Sequence, residues 1–210
     1  QPRRCPHPGA RAPVPRAALL DLLEASSSTT VVAVLAPPGY GKTTLLAAWA
    51  ERDPRSFAWL TIDRHDNDPA VLLRSIAATL DQIEPLDPAL LETLRFPGRA
   101  AIDAVLPQLG SAVSAAALPV VLVLDDLHLL QSCDCLEVVA KLIDHLPPGS
   151  QLAIASRGEP PLPLARLRAE GRVLQIGPED LAMDQHEAHA LLANAGLHAD
   201  PVDVCELVRR

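Results

Sequence analysis

Ala36-Pro37-Pro38-Gly39-Tyr40-Gly41-Lys42-Thr43-Thr44 lies between an apolar run, Val31-Val32-Ala33-Val34-Leu35, and a helix-like run, Leu45-Leu46-Ala47-Ala48-Trp49-Ala50. A strand, a glycine-bearing loop, Lys-Thr and a helix, in that order, form the setting of a phosphate-binding loop. A triphosphate needs donors that curve around it without a Cβ in the way. Glycines supply that backbone, and the helix N-terminus adds unpaired N–H groups and a positive dipole end. The candidate nucleotide-binding residues are Pro38, Gly39, Tyr40, Gly41, Lys42, Thr43 and Thr44. Lys42 is expected to reach the β- and γ-phosphates, and the Thr43 hydroxyl to hold Mg²⁺. One position departs from the pattern: GxxxxGK[ST] wants glycine where this chain has Ala36.

A second signal follows at Val120-Val121-Leu122-Val123-Leu124, which ends in Asp125-Asp126. A run this apolar reads as a central strand buried on both faces. Carboxylates at its end sit where a parallel α/β sheet places its ligands. This is a Walker B arrangement. Asp125 is expected in the Mg²⁺ shell, and Asp126 to orient or deprotonate the attacking water. The strand 152–155 ends in Ser156-Arg157. An arginine there can read a γ-phosphate with two N–H bonds, so Arg157 joins Asp126 as a candidate catalytic residue.

Composition sets the limits. The chain has 210 residues, enough for one α/β domain and a small appendage. It is 49% hydrophobic but only 2% aromatic, so Ala, Val, Leu and Ile must build the core. No apolar run approaches a membrane span. The first residues, Gln1-Pro2-Arg3-Arg4-Cys5, open no signal-peptide core. The expected compartment is therefore the cytoplasm. A formal charge of −8 argues against this segment gripping nucleic acid through a basic surface. Cys5, Cys133, Cys135 and Cys205 lack zinc-site spacing and read as reduced thiols. His186 and His189 could share a helix face, but no further metal ligands are signalled.

Strands and helices alternate along the chain, which argues for a parallel sheet with right-handed crossovers. Helices are expected at 17–25, after Lys42, at 69–83, 100–116, 136–146 and 184–195. Strands are expected at 31–35, 57–62, 120–124, 152–155 and 173–176. Asp68-Pro69 supplies a cap and a first-turn proline for the third of these helices. Pro85, Pro88 and Pro97-Gly98 read as breaks. The expected organisation is a proline-rich arm over 1–16, a P-loop ATPase domain over 17–178 with a five-stranded parallel sheet flanked by helices, and a helical subdomain beginning at 179–210.

Several motifs in order carry a family resemblance: the P-loop; Phe57-Ala58-Trp59-Leu60-Thr61-Ile62-Asp63; Asp66-Asn67-Asp68-Pro69; Leu122-Val123-Leu124-Asp125-Asp126-Leu127-His128; and the stretch from Ala155-Ser156-Arg157 to Arg168. Together they resemble the ATPase module of the large ATP-binding LuxR-type transcription regulators, a maltose-regulator-like group of the STAND class. The resemblance runs from Val14-Pro15-Arg16 to the end. It implies ATP or ADP with Mg²⁺ as ligands, and a nucleotide switch in which an inducer bound elsewhere permits exchange and self-association. It also implies that DNA is contacted only by a C-terminal domain outside this chain. Arg16 matches a family segment near the base, and His128 a family position after Walker B. Members continue with a winged helix, a repeat sensor and a helix-turn-helix, so the chain reads as part of a longer protein.

Two rival classes stay open at this point. One is a P-loop kinase whose arginine-rich lid would be the segment around Arg166, Arg168 and Arg172. The other is a nucleotide-binding scaffold without turnover.

Overall fold

The computed structural model describes residues 16–94 and 99–194, with positions 197 and 200. The proline-rich arm expected over 1–16 lies outside the described residues except for Arg16. The same holds for Cys5, Cys205 and the chain beyond 200.

Among the described residues five parallel strands form one sheet: β1 (Val31–Leu35), β2 (Ser56–Thr61), β3 (Val120–Asp125), β4 (Gln151–Ser156) and β5 (Val173–Ile176). Their spatial order is β2-β3-β4-β1-β5. The register runs Val31 beside Leu152 to Leu35 beside Ser156, and Ser56 beside Val120 to Thr61 beside Asp125. Every residue of β1, β3 and β4 is buried, as a sheet covered on both faces requires.

The two faces carry separate cores. Val32, Val34, Val121 and Val123 pack with α1 (Ala17–Ala25) and α2 (Lys42–Arg52) through Leu20, Leu23, Leu46 and Trp49. Phe57 meets Trp49 edge-on, with ring centroids 5.1 Å apart. Val31, Ala33, Leu122 and Leu124 pack with α3 (Pro69–Leu80), α4 (Pro88–Thr93), α5 (Arg99–Ala115), α6 (Cys133–His145) and α7 (Leu164–Ala169). After β5 the chain turns helical, with α8 (Pro178–Leu181) and α9 (Gln185–Asn194).

The helix starts follow local chemistry. Asp68 accepts hydrogen bonds from Ala70 N and Val71 N and precedes Pro69 at the first turn of α3. Asp87 and Pro88 repeat the device, so the prolines read as breaks include the start of α4. Ser132 caps α6, which begins at Cys133 and not at Leu136 as expected. Cys133 and Cys135 are free thiols. Among the described residues no helix is long and apolar enough to cross a membrane.

Candidate functional site

The strand order decides which side chains meet. Because β4 lies between β1 and β3, the residues that follow all three strands share one rim of the sheet. There the chain places the loop after Leu35, the Asp125-Asp126 pair, and Ser156-Arg157.

The loop from Ala36 to Gly41 is exposed from Pro37 onward and is shaped by two left-handed glycines, Gly39 (φ 88°) and Gly41 (φ 78°). A side chain at either position would strain the backbone by about 1–2 kcal/mol. Gly41 leads directly into α2, with Lys42, Thr43 and Thr44 as its first turn. Ala36, by contrast, needs no glycine. Among the described residues Asp126 is the non-glycine with positive φ, so Ala36 keeps ordinary backbone geometry. Its methyl is buried in the α1–α2 core, and its N–H donates to Ser156 O at 3.1 Å. The departure from the glycine pattern is therefore a packed position next to the loop, not a defect within it.

Lys42 is 8% exposed. Its ammonium donates to the carbonyls of Ala36 at 2.7 Å and Pro37 at 2.9 Å. Burial pulls the Lys42 pKa below the ordinary lysine value, opposed by Asp126 and Asp125 and reinforced by Arg157. Thr43 Oγ1 donates to both oxygens of Asp125, at 3.0 and 3.2 Å. Asp125 is 3% exposed, and burial pushes its carboxyl up while the Thr43 hydroxyl holds it down. A buried carboxylate beside a hydroxyl, with an ammonium as its nearest cation, is under-compensated. Two oxygen donors of this kind fit Mg²⁺, which takes one or two protein oxygens and completes its shell with phosphates and water.

One prediction follows from that burial. The folded Asp125 favours the neutral acid, so its contribution to stability is present at acid pH and lost as pH rises past the ordinary carboxylate range. Asp125→Asn should raise the melting temperature of the nucleotide-free protein at neutral pH by roughly 2–4 °C, the shift that about 1 kcal/mol produces in a domain of this size. The excess over wild type should shrink on acidification. Calorimetric scans across pH would show it, and a variant less stable than wild type at neutral pH would contradict it.

Asp126 begins a turn in the left-handed region (φ 56°, ψ 35°), an uncommon conformation for a non-glycine residue. Two residues on, the ring of His128 is largely buried, and among the described residues neither of its nitrogens has a hydrogen-bond partner. Nδ1 lies 3.7 Å from Asp126 Oδ1. Burial lowers the His128 pKa, Arg157 lowers it further, and Asp126 opposes both. A neutral imidazole with two unsatisfied nitrogens can accept or donate a hydrogen bond at neutral pH. Arg157 is exposed, and among the described residues it makes no hydrogen bond or ion pair. It is close enough for its charge to act on both Lys42 and His128. The site thus brings together Lys42, Thr43, Asp125, Asp126, His128 and Arg157.

Arg16 has other partners. Its guanidinium donates to the carbonyls of Asp180, Leu181 and Ala182 at 3.0–3.3 Å and pairs with Glu187 at 2.9 Å. It ties the start of α1 to the α8–α9 junction. Glu187 carries no local signal that marks it as a partner of a residue so far away in sequence. Arg166, Arg168 and Arg172 pair with Asp144, Glu159 and Glu170. Arg172 also bonds Thr30 just before β1, on the rim opposite the glycine loop that follows β1. These arginines do not converge on the site as a kinase lid would require.

Residues 15–155 match the family described as AAA ATPase domain. Over 176 residues the chain is 31% identical to the HTH-type transcriptional regulator MalT of Vibrio cholerae, covering 82% of this chain and 19% of that protein. Over 187 residues it is 32% identical to the serine/threonine-protein kinase PknK of Mycobacterium tuberculosis, covering 87% of this chain and 17% of that protein. It therefore spans less than a fifth of either relative. Among solved structures, a STAND protein with a tetratricopeptide repeat sensor from Pyrococcus horikoshii shares the fold at a TM-score of 0.67 and 17% identity, over 99% of this chain and 29% of that one. Cdc6p from Pyrobaculum aerophilum does so at 0.56 and 20% identity, over 92% of this chain and 50% of that one. With its glycine loop before α2, its paired aspartates at the end of β3 and a family match over residues 15–155, the chain belongs to the AAA ATPase domain family.

Proposed function

We propose that this chain is the nucleotide switch of a larger signalling protein, with a MalT-like transcription regulator as the favoured setting. The supporting observation is the convergence of Lys42, Thr43, Asp125 and Asp126 on one rim with Arg157, which has no partner among the described residues. Lys42 leaves the Ala36 and Pro37 carbonyls for the β- and γ-phosphates. Thr43 and Asp125 would hold Mg²⁺, which would supply charge neutralisation at the phosphates. Asp126 orients or deprotonates a water that attacks the γ-phosphorus. The bond to the β–γ bridging oxygen breaks, and ADP and inorganic phosphate leave. His128 stands beside Asp126, its Nδ1 3.7 Å from Asp126 Oδ1.

A switch requires ATP to bind one conformation better than the other, since tight binding alone shifts nothing. Arg157 supplies that difference by pairing with a γ-phosphate that ADP lacks. In this reading ADP holds the resting state, an inducer bound elsewhere permits exchange, and the ATP form self-associates. Hydrolysis resets it slowly. Nearly equal similarity to a protein named as a transcription regulator and to one named as a kinase supports a module that different effectors can use.

The test is the mass in solution of the full-length protein loaded with ATP or ADP, for wild type and Arg157→Ala. Wild type should associate more strongly with ATP than with ADP, by about 5–150-fold in association constant. Arg157→Ala should bind both nucleotides and lose that difference. Identical behaviour of wild type in ATP and ADP would sink the switch.

A further inference from the structure

Asp66-Asn67-Asp68-Pro69 plays no part in the nucleotide site described above, yet its side chains are fully engaged. Asp66 is 2% exposed and accepts from Asp63 N and Ser75 Oγ. Its carbonyl accepts from the Cys135 thiol. Asp68 and Pro69 start α3. Asn67 turns the other way, across to the segment that follows β3.

Its one amide makes four hydrogen bonds to backbone, three of them there. Nδ2 donates to Leu129 O at 2.9 Å and to Arg64 O at 3.4 Å. Oδ1 accepts from Gln131 N at 2.6 Å and Ser132 N at 2.9 Å. Both amide hydrogens and both oxygen lone pairs are used, so no other side chain of this size could substitute. Aspartate lacks the donor and would set a carboxylate against the Leu129 carbonyl. Leucine has the shape and none of the bonds.

The segment Asn67 holds is the far half of the turn that begins at Asp126. Leu129 N donates to Asp126 O at 3.0 Å, and Leu130 N to Leu127 O at 2.9 Å. Leu127 and Leu130 are buried and anchor the turn in the core. Those anchors fix its depth. The remaining freedom is for the left-handed Asp126 backbone to relax and carry His128 with it. Asn67 removes that freedom by fastening the exit of the turn to the loop after β2. It acts on the next strand over in the sheet, so it also links two rim loops that the strand pairing alone leaves independent.

We infer that Asn67 is a positioning residue, whose amide fixes the turn so that Asp126 and His128 face the phosphate end of the site. The inference rests on the hydrolysis reading above.

The experiment compares wild type, Asn67→Ala and Asp68→Ala. The last variant removes the neighbouring α3 cap without touching the turn and serves as the purely structural control. Both variants should melt a few degrees below wild type. Only Asn67→Ala should lose kcat, by about tenfold or more, with KM for ATP within about twofold. Its Gln131 and Ser132 amides should exchange hydrogen about tenfold faster, and those of Asp68→Ala at the wild-type rate. Freed amides with wild-type kcat would overturn the inference, as would equal loss of kcat in both variants. If wild type binds ATP but turns none over, the hydrolysis reading falls by itself, and exchange then decides. Protection of residues 126–128 by MgATP in wild type and Asp68→Ala, but not in Asn67→Ala, upholds positioning; equal protection in all three overturns it.

Discussion

Asp126→Asn should leave ATP and ADP binding intact and slow phosphate release by about 10²–10⁴-fold, the usual contribution of a positioned base. The substitution changes almost nothing else. Asparagine tolerates the left-handed backbone as aspartate does, so the turn at φ 56° survives. The carboxamide fills the same space but cannot take a proton from water. It also removes one of the charges that support the Lys42 ammonium. Any change in affinity should be modest, because losing that charge also relieves repulsion of the phosphates, and it is separable from the effect on rate. Labelled-phosphate release in a single turnover, with binding measured in parallel by calorimetry, distinguishes the two. Equal ATP loss from wild type and variant would favour the scaffold without turnover. A large loss of binding would mean that Asp126 belongs to the ground-state site.

The sheet was legible because buried parallel strands leave little choice of residue. Positions 31–35 and 120–124 are unbroken apolar runs, and each ends where its chemistry begins. Loop chemistry was legible where it is local: glycines before Lys42, Asp68-Pro69 before α3. What escaped was either misread punctuation or contact at a distance. Pro88 looked like a break, but Asp87 ahead of it makes a helix start. Leu164–Ala169 follows a proline-rich loop and is too short to show a period. The Ala36 departure could not be judged until the backbone showed that no left-handed residue is needed there. Arg16 and Asn67 are the clearest cases. Each donates to at least one backbone carbonyl more than sixty positions away, and a backbone carbonyl has no sequence signature.

Lys42→Ala should weaken ATP binding on the order of 100-fold, about 2.8 kcal/mol at 1.4 kcal/mol per tenfold. Charge-assisted hydrogen bonds are the strong ones, at about 1.5–3 kcal/mol each, and in the proposed site this ammonium makes them to both the β- and γ-phosphates. The loss is net of an exchange. Lys42 already bonds to Ala36 O and Pro37 O, so binding trades two neutral acceptors for charged ones. Burial makes that trade more favourable, because a desolvated ammonium gains more from an anion than one in water. Thermal shift gives a direct readout. At a ligand concentration near 100 times the wild-type Kd, ATP should stabilise wild type by about 2.7 kcal/mol and the variant by only about 0.4 kcal/mol. In a domain of this size that is a rise of roughly 5–10 °C against about 1 °C. Lys42→Arg keeps the charge and tests placement: the bulkier guanidinium must leave the pocket between Ala36 and Pro37, so it should recover only part of the loss. If Lys42→Ala binds ATP within threefold of wild type, the loop is not the phosphate site, and the convergence of Thr43, Asp125 and Arg157 around it would need another explanation.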